Sequence, residues 1–541
     1  MSDSSRHSPK PVLVVGAGPT GLTLAAALTR YGVPVRLVEK KTRLSRHTKA
    51  TNLMQRNQEV LSALGLLEPV AAVGGQMRRL MVHSYGQCFG PRTMRLDDTP
   101  FRDVLLCGQH NLEAVVAAGL MRRGVPVEFG TELEHLRQSA EGVTATLRTA
   151  GGVEALDCGY VVGCDGGAGV TRTFTKLNFR PHRTGVAIRQ VDCKLAWRRL
   201  PSMTQMWLFY FTHGFAAIVP LPGGVHRVLF IEPKDAFPAR EPTLDEMQAK
   251  LRDVTGDDSA TISDIDWFSY TDLQMGIAPG LRDGRVLLAG DAGNPILPNG
   301  GQGMNAGISD AFNLGWKLSS VVLHGGTPEL LDAYDRERHA LRVSLEKAQW
   351  NSLKYTTLVT PRWVRAVFRL VAEPLLNWGV ERVLARAFSQ LGVHTRRSDL
   401  TLERGGRRGL RAGDRVLDAE VVGGRGQVSL FDLLYAGGWT LLAFTGTRTR
   451  DHRRVLAAVA VVRRADIPSY VVSTDAAIET GLPTLYDLDE IAHRVYRVTR
   501  PVLYLVRPDG HVGARVRPST ALALQAYARR WIPEGALAPV S

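Results

Sequence analysis

Residues 11–39 read PVLVVGAGPTGLTLAAALTRYGVPVRLVE. The run KPVLVVG has the composition of a strand buried on both faces of a parallel sheet. Gly16-Ala17-Gly18-Pro19-Thr20-Gly21 follows in the pattern G-x-G-x-x-G, GLTLAAALTRYG then has helical length up to Gly32, and VPVRLVE is a second buried strand. In this strand–turn–helix setting each glycine has a task. One allows the tight turn, one lets the backbone approach a pyrophosphate, and one allows close helix–strand packing. The helix start offers free N–H groups and the positive end of its dipole to phosphates. Glu39 closes the second strand about twenty residues on, where a carboxylate accepts hydrogen bonds from ribose hydroxyls. It would repel a 2′-phosphate, so the nucleotide expected here is FAD or NAD and not NADP.

Two further motifs narrow the choice. VVGCDGGAGVTR carries Asp165-Gly166 after an apolar strand, with Arg172 close behind. GRVLLAGDAGNPILPNGGQGMNAGISDAFNLGWKL carries Gly290-Asp291 after another buried strand. Asp291 can bind a polyol hydroxyl at the end of its strand. Pro298-Asn299-Gly300-Gly301-Gln302-Gly303 is a loop without bulky side chains, against which a flat ring system can lie. A helix expected from about Met304 to His324 aims its positive end at that ring, where a reduced flavin is negative.

The remaining sequence sets limits. A chain of 541 residues is too long for one ordinary core, so two or three domains are expected. No apolar run approaches the ~20 residues of a membrane span, and the polar start MSDSSRHSPK lacks the apolar stretch of a secretory signal. A cytoplasmic protein without stable membrane insertion is expected. The five cysteines are scattered and form no C-x-x-C, which argues against a disulfide framework or a metal site. The net charge of +15 has no aromatic-interleaved stripe or finger spacing beside it, so we read a surface attractive to anionic cofactors and no nucleic-acid partner. The aromatic-rich segment 180–275, with strands such as WLFYF and RVLFIE, reads as a sheet covering a pocket. Trp207, Phe209, Phe211 and Phe215 suggest an apolar pocket for a multi-ring substrate. Residues 328–392 read as helical, and 393–415 as a polar boundary before an α/β pattern.

With these motifs in order, the chain resembles the single-component aromatic hydroxylases of the para-hydroxybenzoate hydroxylase type. Within them it is similar to the subgroup with a C-terminal thioredoxin-like domain, which includes phenol and polyketide-tailoring hydroxylases. Agreement covers residues 12–61, 104–116, 160–172 and 284–318, and AGDRVLDAEV, WTLLAFTG and YLVRPDGHVGAR resemble the appended domain. The resemblance implies an α/β fold: a Rossmann-like FAD-binding domain (1–179 and 276–327), an interleaved β-sheet substrate domain (180–275), a helical connector (328–397) and a thioredoxin-like C-terminal domain without cysteines (398–541). It implies that Gly16, Gly18, Gly21 and Glu39 bind the ADP half of non-covalent FAD, with Lys49 and Gln109 near the cofactor. Asp165 and Gly166 would serve FAD and NAD(P)H together, Gly290 and Asp291 the ribityl chain, and Pro298 with Gly300, Gly301, Gln302, Gly303, Met304 and Asn305 the flavin ring. Three departures from the family pattern stand out: Gly169 for a serine, Gly293-Asn294 for Ala-His, and Leu297 for a proline.

The activity implied is monooxygenation of an aromatic or polyketide-like substrate with NAD(P)H and O2, through a flavin C4a-hydroperoxide. Baeyer–Villiger oxidation, epoxidation, a flavin-dependent reductase and a non-catalytic FAD-binding partner are the alternatives on the same scaffold. The sequence assigns no catalytic base among His213, Tyr210, His226, Tyr270 and Asn294. Substrate, NADH versus NADPH, and homodimer formation stay open.

Overall fold

The structure, a computed structural model, describes all residues except 1–8, 48, 85–86, 200–201, 212–213, 298–300, 355–384, 387, 407, 449–451, 536–537 and 541. The N-terminal part is built on a six-stranded sheet. Val12–Val15 is its centre, parallel to Val35–Glu39 on one side and to Tyr160–Gly163 on the other, with Val286–Leu288 parallel beyond that. All four residues of the first strand are buried, as a strand covered on both faces requires. Among the described residues the helices are α1 (Pro19–Arg30), α2 (Gln55–Ala63), α3 (Leu67–Ala72), α4 (Gln109–Arg122), α5 (Leu244–Thr255), α6 (Gln302–His324) and α7 (Glu329–Leu353). Four more follow: α8 (Leu430–Leu434), α9 (His452–Val462), α10 (Ile491–Tyr496) and α11 (Ala521–Trp531). Among the described residues no helix is long and apolar enough to cross a membrane.

A second, seven-stranded sheet is mostly antiparallel and built on the long strands His182–Ala196 and Thr261–Met275. It reaches beyond the segment 180–275. Arg79–Ser84 pairs parallel with Gln205–Phe211, and Gln87–Thr93 forms the edge. Pairing across so long a stretch of chain leaves no local pattern in the sequence. The sheet's two faces also differ from expectation. Trp207 and Phe209 pack with Phe230, Met247 and Leu251 under α5, and Phe211 leans on the same cluster. Phe215 faces the other way, with Val186, Ile188, Ile231 and Leu297. Period-two alternation thus puts three of the four expected pocket aromatics in the outer core. The sequence announces α5 itself: Thr243 and Glu246 form a reciprocal capping box, and Gly256 ends the helix at φ +62°.

The C-terminal part holds an eight-stranded sheet. Thr440–Phe444 runs parallel to Ser469–Ser473 on one side and antiparallel to Val502–Val506 on the other, which pairs with Val512–Val516. A buried ionic network fastens this part to the N-terminal part. Lys317 of α6 and Arg507 both meet Glu337 of α7 at 2.7 Å, and Arg507 also pairs with Asp509 at 2.5 Å. Arg56 of α2 donates to the Asp509 carbonyl at 2.7 Å, and Arg415 meets Glu59 at 2.8 Å. Burial alone would raise the Glu337 carboxyl, but Arg507 and Lys317 hold it well below the usual carboxylate range. Its contribution is therefore complete at neutral pH and is lost only in strong acid. Burial pushes the Lys317 ammonium down to about 8 despite the Glu337 partner.

Removing the Glu337 charge would leave Lys317 buried without a carboxylate and Arg507 with Asp509 alone. We expect Glu337→Gln to cost about 3–5 kcal/mol. Denaturant unfolding at neutral pH measures it, and a change under ~1 kcal/mol would contradict a network that fastens the two parts.

Candidate functional site

The three motifs, far apart in sequence, meet at the carboxyl ends of the parallel strands. Gly16, at φ +100°, sits so close to the second motif that an added Cβ would lie 2.6 Å from the Cys164 carbonyl oxygen and 2.9 Å from Asp165 Cα. A Cβ on Gly21 would strike the Gly16 carbonyl oxygen. Thr20, between them at the start of α1, fits against the third motif. Its Oγ1 would lie 2.5 Å from a Cβ on Gly290 and 2.2 Å from one on Gly307 of α6. Gly315, two turns further along α6, takes Ala27 of α1 in the same way. Neither Gly307 nor Gly315 was singled out by the sequence reading. Their spacing of about two turns on one helix face was the available signal.

Gly18 differs from its neighbours. An added Cβ there would meet nothing within 4 Å, and the same holds at Gly166. Gly18 is also the N-cap of α1, with extended backbone and no side chain capping the helix. The first N–H groups of α1 therefore have no capping side chain. Glu39 accepts from the Ala17 N–H at 2.9 Å and from the Lys41 N–H at 3.0 Å, which holds the carboxylate beside the glycine turn. Lys49 is exposed, and its carbonyl accepts from Arg227 at 2.8 Å. Gln109 bridges from the Ala50 N–H at 3.4 Å to Glu113 at 2.8 Å, so its side chain ties the Lys49 segment to the start of α4.

Asp291 has no hydrogen bond or ion pair among the described residues. It is exposed, yet protein surrounds it closely enough that burial raises its carboxyl above the usual range, with Arg342 opposing. An accessible carboxylate deep among protein atoms marks a groove floor. Gly290, at φ +64°, donates its N–H to Asp310 at 3.1 Å. Arg338 and Arg342 overcome burial and hold Asp310 charged. Pro298 and Gly300 lie outside the described residues. Gly301 caps α6 at φ +66° without a side-chain cap, and Gly303 and Met304 sit in the first turn. The Gln302 and Asn305 side chains are committed to protein. Gln302 binds the Phe388 carbonyl and Gln390, and Asn305 binds Asn52, Met54 and Asn57.

Each departure from the family pattern has a local cause. A Cβ at position 169 would fall 2.2 Å from the Asp165 carboxyl, which folds over Gly169 to accept both the N–H and the hydroxyl of Thr171 at 2.9 Å. Asn294 is fully buried and donates to the Gly276 carbonyl, so it acts as an anchor and not as a base. The Leu297 N–H donates to Gln349 at 3.1 Å, a bond a proline lacks. Of the other bases considered, His226 is buried with neither ring nitrogen partnered, on the opposite face from Arg227, and Tyr270 packs edge-on against Phe237. His213 lies outside the described residues. Tyr210 packs on the Leu297 side of the sheet. Sequence reading missed Arg227, which makes two bonds to Asp192 at 2.7 and 2.8 Å while Trp267 donates to the same carboxylate at 2.9 Å. Its signal was an arginine inside an otherwise apolar strand.

A family model described as FAD binding domain matches residues 10–348. The chain belongs to this family of FAD-dependent monooxygenases. Rifampicin monooxygenase of Streptomyces venezuelae is 34% identical over 482 residues, covering 86% of this chain and 94% of that protein. Aklavinone 12-hydroxylase of Streptomyces purpurascens is 29% identical, covering 95% and 96%. Among solved structures, an anhydrotetracycline hydroxylase from Streptomyces rimosus aligns with TM-score 0.73 and 27% identity, over 96% of this chain and 99% of that one. The groove fits FAD. It offers open backbone at Gly18, uncapped helix starts at α1 and α6, and a free carboxylate at Asp291 between them.

The glycines therefore divide into two kinds. Gly290→Ala should lower the stability of the FAD-free monooxygenase by about 1–3 kcal/mol, because the Cβ meets Thr20. Gly18→Ala should leave that stability unchanged and weaken FAD retention. Thermal unfolding of the FAD-free proteins, with fluorescence titration of FAD, separates them, and equal loss of stability in both would contradict an open Gly18.

Proposed function

We propose that this monooxygenase transfers one atom of O2 to an aromatic or polyketide-like substrate, with NAD(P)H as the reductant. One observation carries the substrate class. Leu297, just beyond the Gly290-Asp291 turn, packs in one apolar cluster with Val186, Ile188 and Phe215, with Tyr210 against it. This buried apolar cluster backs the loop that follows the cofactor groove, a setting suited to a flat multi-ring substrate. The relatives named for rifampicin, anhydrotetracycline and aklavinone point the same way.

In this reading Gly16, Gly18, Gly21 and Glu39 hold the ADP half of FAD, and Asp291 the ribityl chain. Lys49 and Gln109 border the cofactor, and Asp165-Gly166 serves both nucleotides. Gly301 to Asn305 contribute backbone N–H groups near the ring, since the Gln302 and Asn305 side chains are already engaged. FAD held by these residues would supply hydride acceptance from NAD(P)H and activation of O2. The chain's own work is to position the cofactor, neutralise its negative edge with the α6 dipole and keep water from the reacting centre. The seven-stranded sheet is the substrate domain, and the eight-stranded sheet a thioredoxin-like domain without redox cysteines. The supply of NAD(P)H favours the cytoplasm.

Two measurements test this. Candidate polycyclic aromatics should accelerate NADPH oxidation, with one oxygen from isotopically labelled O2 appearing as a ring hydroxyl. Insertion between a ketone and its neighbouring carbon would replace this reading with Baeyer–Villiger chemistry. Asp291→Ala should weaken FAD about tenfold or more, the worth of a hydrogen bond to a charged group. It should not destabilise the FAD-free protein, because no protein group loses a partner.

A further inference from the structure

Six arginines from four separate stretches of chain converge on one cavity of about 840 Å3 in the C-terminal part. They are Arg396, Arg408, Arg411, Arg448, Arg494 and Arg497, and among the described residues Glu490 is the one acid on the wall. Asp414 neutralises Arg396 at 2.6 Å. Among the described residues Arg408, Arg448, Arg494 and Arg497 meet no carboxylate, and all four are exposed. Positive charge thus gathers in a concave place with little compensation, which focuses the field on any anion inside it.

Three observations separate this cavity from a solvated basic surface. First, its place in the fold is that of a ligand site. Arg448 follows the carboxyl end of Thr440–Phe444, and Thr499 precedes Val502–Val506, whose first residue pairs with Phe444. The carboxyl ends of parallel strands are where open α/β sheets bind ligands. Second, His493 on the wall is 1% exposed, with Nδ1 2.7 Å from Asp487 and Nε2 without a partner. A buried ring nitrogen left unpaired is costly unless a ligand uses it. Third, Glu490 and Arg497, which flank α10, are held at φ +55° and +53°. They are two of the four non-glycine residues described with left-handed backbone, a costly conformation that persists only where surrounding structure enforces it.

We propose that this cavity binds the multiply charged phosphate group of a small molecule, at a site apart from the flavin groove. Guanidinium forks match phosphate oxygens in pairs, and several forks from different directions favour a diphosphate over a single charge. The volume lies in the range of small-molecule pockets and exceeds one phosphate. Pyrophosphate, a nucleoside diphosphate and NADPH share this chemistry.

The test is calorimetric titration of the full FAD-loaded enzyme with inorganic pyrophosphate, inorganic phosphate, ADP and NADPH. One saturable pyrophosphate site is expected, tighter than phosphate and weakened by added salt. Arg448→Ala with Arg497→Ala should weaken it at least tenfold while flavin absorbance and NADPH oxidation stay unchanged. Arg494→Glu is a second variant should the first fail to fold. Displacement of pyrophosphate by both ADP and NADPH assigns recognition to the diphosphate, and displacement by NADPH alone assigns it to the 2′-phosphate. Absence of saturable pyrophosphate binding, or binding indifferent to both variants, overturns the proposal. So does tight binding of an RNA oligonucleotide or acidic peptide in place of pyrophosphate.

Discussion

The contact of Thr20 with Gly290 and Gly307 governs the cofactor groove. It brings α1 against α6 at backbone distance, and with them the first and third motifs. Both helices then point uncapped N-termini toward the same groove, whose floor is Asp291. A methyl group at either glycine would push the helices apart. Preorganisation of this kind leaves N–H groups ready for an anionic cofactor without side chains having to be ordered on binding.

The nucleotide-binding half was legible because its signals are local. An apolar strand, a glycine turn, a helix and an acid lie within residues 11–39, and the structure keeps that order. The second sheet was less legible. Its strands at 205–211 and 225–233 were visible as aromatic and β-branched runs, but the partnership of Arg79–Ser84 with Gln205–Phe211 depends on closure of a long loop. The facing of Trp207 and Phe209 was misjudged for a related reason: alternation tells that two faces exist, and only the placement of α5 decides which is the outside.

At the site, spacing located residues but could not say which of their atoms were free. Gln302, Asn305 and Asn294 are polar residues in motif positions, yet hydrogen bonds to protein consume their side chains. Asp291, in an equally polar stretch, keeps its carboxylate unpartnered. The departures follow the same logic. Gly169 and the folded Asp165 carboxyl need each other, as do Leu297 and Gln349. Each odd residue is half of a local pair whose other half is invisible to a motif.

A net charge of +15 predicts cations gathered where phosphates bind. In the glycine groove few do. Glu39, Asp165 and Asp291 are acids, Arg172 is engaged by the Gly167 and Ala292 carbonyls, and Lys49 is exposed beside them. A phosphate bound there would be met by backbone N–H groups and a helix dipole, which carry no desolvation cost for a buried cation. The interior arginines, among them Arg56, Arg342, Arg415 and Arg507, are matched by carboxylates or carbonyls and serve architecture. Among the described residues Arg408, Arg448, Arg494 and Arg497, which meet no carboxylate, stand together at the exposed C-terminal cavity. Part of the basic balance of the sequence thus gathers at this cavity, apart from the glycine groove, whose open polar groups are largely backbone.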